Sequence, residues 1–336
     1  MKEKRVFRIL MTCLGLIVAI SLSNPLMAKT VVLKAEHDEP AGSITDKILH
    51  DMSGKVLKVT QGRVKMQVFA GCQLSGGKIK TMIQNTTLGS THLSFISAAT
   101  FTAWDMNIGV CNLPFLVEDY DGYEKLRHTA PMRDLLDDWE KIGLKGVDYW
   151  TRALRQVVNT RRRILTTEDI KGLRFRVMET PLYVSIFKAL DAHPIGMPFG
   201  EIFTALKLGT IDGAERPTEF LLTEKWWDLA KYVTMWDYTG DLLVVAANPK
   251  FFNKLEKQDQ EALVKLVTEG GDEKYQAEKK MQEDAVKKLR EKGMVVDFLD
   301  PKEKAKFREK TQVTWKIFEP KFEKGLIDRV VKALKE

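Results

Sequence analysis

The chain has few of the residues that build metal centres: three cysteines and five histidines among 336 residues. No two histidines stand four residues apart, which is the spacing that places a metal-binding pair on one helix face. The cysteines are too few and too widely separated for a structural zinc site. We therefore expect neither a metal nor a cofactor.

The sequence also lacks the common signatures of enzymes. Leu74-Ser75-Gly76-Gly77 imitates the signature of ATP-binding cassette ATPases. Those enzymes also need a phosphate-binding loop ending in Gly-Lys-Ser/Thr, which is missing here, so the four residues are interpreted as a turn and helix start. No G-x-G-x-x-G follows a predicted strand, and there is no G-x-S-x-G nucleophile turn. These absences predict a protein that is not an enzyme.

Long apolar runs are absent except at the start of the chain. A positively charged beginning leads into an uncharged run over 9–22, and Ala28 then offers a small residue for cleavage. This layout predicts a signal peptide over residues 1–28, with an uncleaved signal anchor as the alternative. Cys13 lies inside the run, so no lipoprotein anchor is expected.

The charge balance is mild. The formal net charge of +7 falls to about +4 once residues 1–28 are removed, because they carry four basic residues and one acidic residue. Such a balance does not indicate a nucleic-acid partner. Export to an oxidising compartment permits a Cys72–Cys111 disulfide, and two buried free thiols are the alternative.

Hydrophobic periodicity indicates an α/β protein. Strands are expected over 31–35, 63–69 and 93–96, and they alternate with helices over 43–60 and 78–88. This alternation predicts a parallel sheet covered by helices. Strands over 144–150 and 156–158 are expected to cross into a second lobe, and one over 242–247 to return. The polar helical pattern over 258–292 suits an outer element that bridges the lobes.

Two arginines stand in apolar, strand-like surroundings. Arg155 follows Leu154, and Arg176 lies between Phe175 and Val177. A buried guanidinium needs an anion, and a small-molecule carboxylate matches its planar fork. An internal ion pair with Asp or Glu is the alternative.

Segments spread along the chain resemble one known family, the extracytoplasmic solute receptors of tripartite ATP-independent periplasmic (TRAP) transporters. The resemblance is to the dicarboxylate-receptor type and covers about residues 30–320. The matching segments are GRVKMQVFAGCQLSGG (62–77), VCNLPFLVEDYDGY (110–123), GLRFRV (172–177) and PLYVSIFKALDAHPIGMPFGEIFTALKLGTIDGAERP (181–217).

The resemblance implies a two-lobed periplasmic binding protein fold of type II-like arrangement. Each lobe would be a sheet flanked by helices, with a long helix bridging the lobes. Lobe I would comprise 29–152 and about 241–280, and lobe II 153–240 and about 281–336. Closure of the lobes about a hinge would trap the ligand between them.

The resemblance also implies where the ligand binds. Arg176 would anchor its carboxylate, and Arg155 would be a second arginine of the site. Many relatives read Asp-Gly-Gln-Glu-Asn-Pro where this chain has Arg216 in place of the asparagine. Arg216 would either add a second anion contact or pair internally with Glu215, Glu219 or Asp241. The remaining expected site residues are Gln73, Phe95, Trp150, Asn159, Glu215 and His37.

Several of these residues have other interpretations. Phe95 and Trp150 could stack on the ligand or pack in the core. His37 belongs to the polar cluster 37–39, which could contact the ligand, bind a metal or be an ordinary solvated loop.

The function implied is a periplasmic receptor that binds a small organic acid and delivers it to the small and large membrane subunits of a TRAP transporter. We expect a monomer. The rival interpretations are a secreted enzyme acting on a carboxylate substrate and a ligand-sensing subunit of a signalling receptor.

Overall fold

The computed structural model describes residues 30–336. The expected signal peptide lies outside the described residues. Within 30–336, no helix combines the length and the apolar character needed to cross a membrane.

Two sheets organise the chain. The first has the strand order β2-β1-β3-β10-β4, in which β1 pairs in parallel with β2 and β3, and β10 runs antiparallel to β3 and β4. Its strands are β1 (Val31–His37), β2 (Val64–Phe69), β3 (Leu93–Ser97), β4 (Lys145–Arg152) and β10 (Asp241–Ala247). The expected parallel arrangement of the first three strands is therefore confirmed.

The second sheet has the order β11-β9-β5-β8-β6-β7. In it β5 runs antiparallel to both β8 and β9, whereas β6 is parallel to β7 and β8. Its strands are β5 (Arg155–Asn159), β6 (Arg174–Val177), β7 (His193–Gly196), β8 (Gly213–Pro217), β9 (Tyr232–Met235) and β11 (Val295–Phe298).

Helices flank both sheets. In chain order they are α1 (Ile44–Val59), α2 (Ile79–Leu88), α3 (Ala98–Phe101), α4 (Tyr120–His128), α5 (Ala130–Asp138), α6 (Pro181–Ala189), α7 (Ile202–Lys207), α8 (Thr218–Thr223), α9 (Pro249–Phe252), α10 (Lys257–Glu291), α11 (Pro301–Phe318) and α12 (Leu326–Lys335). Ser43 caps α1, since its hydroxyl accepts a hydrogen bond from the backbone N–H of Asp46 at 3.2 Å.

The chain passes between the sheets at two points. Only Ala153 and Leu154 separate β4 from β5, and both are buried. The return runs from β9 to β10 through residues 236–240. The expected crossing and return are thus both confirmed, and each joins strands within a few residues of the site.

Strand β8 was not expected as a strand, because charged residues interrupt its pattern. Glu215 and Arg216 are both buried at its centre. Hydrophobic alternation cannot reveal such a strand, since its charges are neutralised by partners elsewhere in the sequence.

The long helix α10 packs closely on the first sheet through two glycines. A Cβ atom on Gly270 would lie 2.7 Å from Cζ2 of Trp150, and one on Gly271 would lie 2.8 Å from its Cδ1. The indole N–H of Trp150 donates to the carbonyl of Val267 at 2.8 Å. The glycines therefore let an indole ring lie directly against the helix backbone.

The division of the chain into lobes stays a prediction, and we propose one change to it. Helix α12 packs against α4 and α5, which themselves pack on β4 of the first sheet. The side chain of Lys125 in α4 also donates to the carbonyl of Leu334 at 2.8 Å. These contacts favour counting 326–335 with lobe I, whereas the expectation placed all of 281–336 in lobe II.

Cys72 and Cys111 are both free and buried. The expected alternative of two buried thiols is therefore the one observed. Burial raises the pKa of each thiol, so both groups are neutral and unreactive near pH 7.

Substitution Gly270→Ala should lower the free energy of unfolding by about 1–3 kcal/mol, because the new methyl group overpacks against Trp150. Gly54→Ala in α1 is the matched control, since that exposed helical glycine has no atom within 4 Å of the added Cβ. It should raise stability by about 1 kcal/mol. Urea denaturation of both variants measures their free energies of unfolding. Equal changes in the two variants would contradict the close contact between Gly270 and Trp150.

Candidate ligand-binding cavity between the sheets

A cavity of about 60 Å³ lies where the two sheets meet. Residues from both sheets line it: Asp38, Pro40, Ile79 and Arg152 from the side of the first sheet, and Arg155, Arg176, Met178, Phe199, Arg216 and Phe220 from the side of the second. Four arginines thus face one small space. Such a concentration of guanidinium groups is suited to an anion.

The arginines meet because their strands are neighbours. Strand β8 lies between β5 and β6, with Val157 opposite Glu215 and Ala214 opposite Arg176. Arg155 stands two residues from Val157 and therefore on the same face as Glu215. The sheet order brings together residues that are 60 positions apart in sequence.

Arg155 is held by Glu215. Its Nε and Nη2 donate to the two carboxylate oxygens of Glu215, with the Nη2–Oε1 distance at 2.8 Å. Both side chains are almost completely buried, and the guanidinium also lies 5.3 Å from the ring centroid of Tyr183. Its pKa is well above its usual range because the contact with Glu215 outweighs the effect of burial. Arg155 is a paired cation at the cavity wall.

Arg176 has no such partner. Its Nε donates to the carbonyl of Met197 at 2.9 Å, but its buried Nη1 has no hydrogen-bond partner within residues 30–336. The nearest carboxylate oxygen in this part of the chain, Oε1 of Glu215, is 3.9 Å away and already accepts from Arg155. Burial lowers the pKa of Arg176 to about 9, and the cations Arg216 and Arg155 add to this shift.

Arg216 pairs internally, with a partner the sequence did not indicate. Its Nη2 donates to Oε1 of Glu224, and its guanidinium carbon lies 4.8 Å from the ring centroids of both Phe199 and Phe220. The buried Nε, however, has no partner among the described residues. Arg216 therefore combines a fixed ion pair with one N–H that is free to bind a ligand.

The side of the cavity formed by the first sheet is rich in acidic groups. Arg152 lies 3.4 Å from Asp38, 3.6 Å from Asp241 and 3.1 Å from Glu39. Oδ2 of Asp38 accepts from the backbone N–H of Ser97 at 3.0 Å, whereas its buried Oδ1 has no partner in the described chain. Burial raises the pKa of Asp38.

Phe95 and Trp150 do not line this cavity. Both are fully buried, and their rings pack 4.7 Å apart in the core between the first sheet and helices α1 and α10. Core packing is therefore the role that the structure gives them.

Three other expected residues are also placed elsewhere. His37 is buried and its Nε2 lies 3.1 Å from Oδ1 of Asp46. Gln73 is exposed in a short turn, and the Asn159 side chain accepts from the backbone N–H groups of Arg161 and Arg162. Arg174, two residues from Arg176, pairs with Asp212.

The sequence interpretation missed several lining residues. Arg152, three residues before Arg155, was not among the expected site residues, and Asp38 was included only as a member of the polar cluster 37–39. The apolar lining by Ile79, Met178, Phe199 and Phe220 carries no sequence signal that distinguishes it from core packing.

A buried ionic cluster joins the two sides near the cavity. Lys274 of α10 donates to Glu278 at 2.6 Å and lies 3.5 Å from Glu39. Glu219 of α8 accepts the backbone N–H of Ile44 at 2.8 Å. Contacts of this kind hold α8 against the start of α1.

A family model matches this chain. The model for bacterial extracellular solute-binding protein, family 7, matches residues 35–321, which is most of the chain. The protein belongs to this family, and the resemblance noted in the sequence is confirmed.

Individual relatives agree with this assignment. The chain is 29% identical over 244 residues to the 2,3-diketo-L-gulonate-binding periplasmic protein of Escherichia coli, covering 72% of this chain and 74% of the relative. It is 26% identical over 281 residues to a C4-dicarboxylate-binding periplasmic protein of Vibrio cholerae, covering 83% of each.

A solved structure shows the same two-lobed fold. The sugar acid binding protein of Advenella mimigardefordensis, in complex with galactonate, superposes with a TM-score of 0.86 at 28% identity. The match covers 91% of this chain and 98% of that one. The expected two-lobed α/β architecture is therefore confirmed.

Substitution Arg176→Met should weaken carboxylate binding at least tenfold, because it removes a buried guanidinium whose Nη1 has no hydrogen-bond partner within residues 30–336. The melting temperature of the ligand-free protein should not fall, since burial of this charge is unfavourable without an anion. Calorimetric titration and thermal melting measure the two effects. Arg174→Met is the matched control. Unchanged affinity in Arg176→Met would contradict the role of Arg176 in binding the carboxylate.

Proposed function

We propose that the protein is the extracytoplasmic solute receptor of a TRAP transporter. It binds a small organic acid in the cavity between the sheets, with Arg176 holding the carboxylate and Arg155 and Arg216 beside it. Glu215 acts behind the cavity by fixing Arg155. Closure of the lobes around the acid removes water from the ion pair and strengthens it.

The observation that carries this proposal is the buried, unpartnered Nη1 of Arg176 in a cavity lined by three further arginines. A buried guanidinium N–H that lacks an acceptor is costly. A carboxylate in the cavity supplies the missing acceptor and the missing charge. The relatives support the same class of ligand, since they are named for binding a diketo sugar acid and a C4 dicarboxylate.

The names of the relatives support a periplasmic binding protein, and the remaining parts of the proposal go beyond them. The protein acts in the periplasm as a monomer and delivers its ligand to the membrane subunits of the transporter. Binding changes the balance between open and closed forms and does not transform the ligand. We propose no catalytic role, no metal and no nucleic-acid partner.

A thermal-shift panel of organic acids on the mature protein, refolded to remove bound ligand, tests the proposed function. At one hundred times its Kd, a ligand adds about 2.7 kcal/mol to the stability of the folded state. For a protein of this size the melting temperature should rise by about 4 °C. Monocarboxylates, dicarboxylates and amino acids of three to six carbons form the panel.

The control is the same panel on Arg176→Met, which should show a shift of about half the wild-type size or less at the same ligand concentration. A cooperative melt that no acid shifts would contradict the receptor function. Consumption of the bound acid, followed by nuclear magnetic resonance, would favour an enzyme instead.

A further inference from the structure

The charges around the cavity differ between the side of the first sheet and the side of the second, and this difference restricts the ligand beyond the presence of a carboxylate. Arg155 and Arg216 each have a carboxylate partner, Glu215 and Glu224. Among the cavity arginines in residues 30–336, Arg176 lies farthest from a carboxylate. Its nearest carboxylate oxygen is 3.9 Å away. One cation therefore remains to be neutralised, and one ligand carboxylate is enough to do so.

The end of the cavity near Asp38 repels a second carboxylate. There Arg152 is surrounded by Asp38, Glu39 and Asp241, so three acidic groups share one arginine. Lys274 contributes a further positive charge to Glu39, but it is also paired with Glu278. A second carboxylate placed at this end would meet like charges at short range in a buried setting.

Asp38 instead needs a hydrogen-bond donor. Its side chain is 1% exposed and lines the cavity, and Oδ1 has no partner in the described residues. An ionised carboxylate only accepts hydrogen bonds, so the group that satisfies Oδ1 must carry an N–H or O–H. Burial raises the pKa of this carboxyl, although the charge of Arg152 and the N–H of Ser97, both on Oδ2, act to lower it.

Resting on the proposed receptor function, we propose that the cavity selects hydroxylated monocarboxylates. Arg176 binds the single carboxylate, Asp38 accepts from a ligand hydroxyl group, and the free Nε of Arg216 donates to a hydroxyl or keto oxygen. Asp38 is the residue that determines specificity, because it accepts a hydrogen bond from a ligand hydroxyl group and repels a second carboxylate.

The selectivity is tested with four-carbon acids that differ mainly in their substituents: D-erythronate, butyrate, succinate and 4-aminobutyrate. In isothermal titration with these acids, and in the thermal-shift panel of organic acids, hydroxylated monocarboxylates should bind most tightly. A hydrogen bond to a charged group that is lost, or left unpaired, changes affinity by roughly tenfold to a hundredfold. Butyrate should therefore bind at least about tenfold more weakly than D-erythronate.

The variant that tests the residue is Asp38→Asn. It should weaken binding of the preferred hydroxy acid about tenfold or more. It should also reduce the ratio of the affinity for that acid to the affinity for the dicarboxylate of the same chain length. Glu36→Gln is the matched control, because Glu36 is a buried carboxyl in β1, two residues before Asp38, with an unpartnered oxygen, and it does not line the cavity. That variant should keep the preference of the wild type.

The outcomes separate this inference from the proposed function. A dicarboxylate, an amino acid or a hydroxyl-free acid as the best ligand would overturn the inference and leave the receptor function standing. An unchanged preference in a folded Asp38→Asn protein would overturn the role of Asp38. Binding of no organic acid at all would overturn both.

Discussion

The ion pair between Arg155 and Glu215 is the interaction on which the site depends. Glu215 uses both carboxylate oxygens to accept from Arg155, so it cannot also neutralise Arg176 at hydrogen-bond distance. The wall of the cavity is thereby fixed, and one buried charge is left for the ligand. In the proposed function, ligand binding is favourable because the folded protein already carries the cost of burying Arg176 with its Nη1 unpaired.

The fold supplies this arrangement by placing β8 between β5 and β6. Arg155, Arg216 and Arg176 come from three adjacent strands and reach one space, while Arg152 and Asp38 approach from the side of the first sheet. The helix α10 connects the two sides, because it packs on β4 and α1 of the first side and on α8 and β11 of the second. A two-sided cavity of this kind links ligand binding to the relative position of the lobes.

Local sequence patterns predicted the architecture well, because apolar periodicity is strong in β1, α1, β3 and β10. They predicted Arg176 through its apolar surroundings and through the family resemblance. They could not distinguish Trp150 as a core residue, since its contact with Gly270 joins positions 120 residues apart. Nor could they show that Glu224 is the partner of Arg216, or that Asp38 rather than His37 lines the cavity, because those facts depend on packing.

A crystal structure of the protein with its tightest-binding acid tests the account most directly. The account predicts one ligand carboxylate within hydrogen-bond distance of Nη1 of Arg176, and a ligand hydroxyl group donating to Oδ1 of Asp38. Arg155 should remain paired with Glu215 in the complex. A carboxylate bound at the Arg152 end, with Arg176 still without an anion, would contradict the central claim.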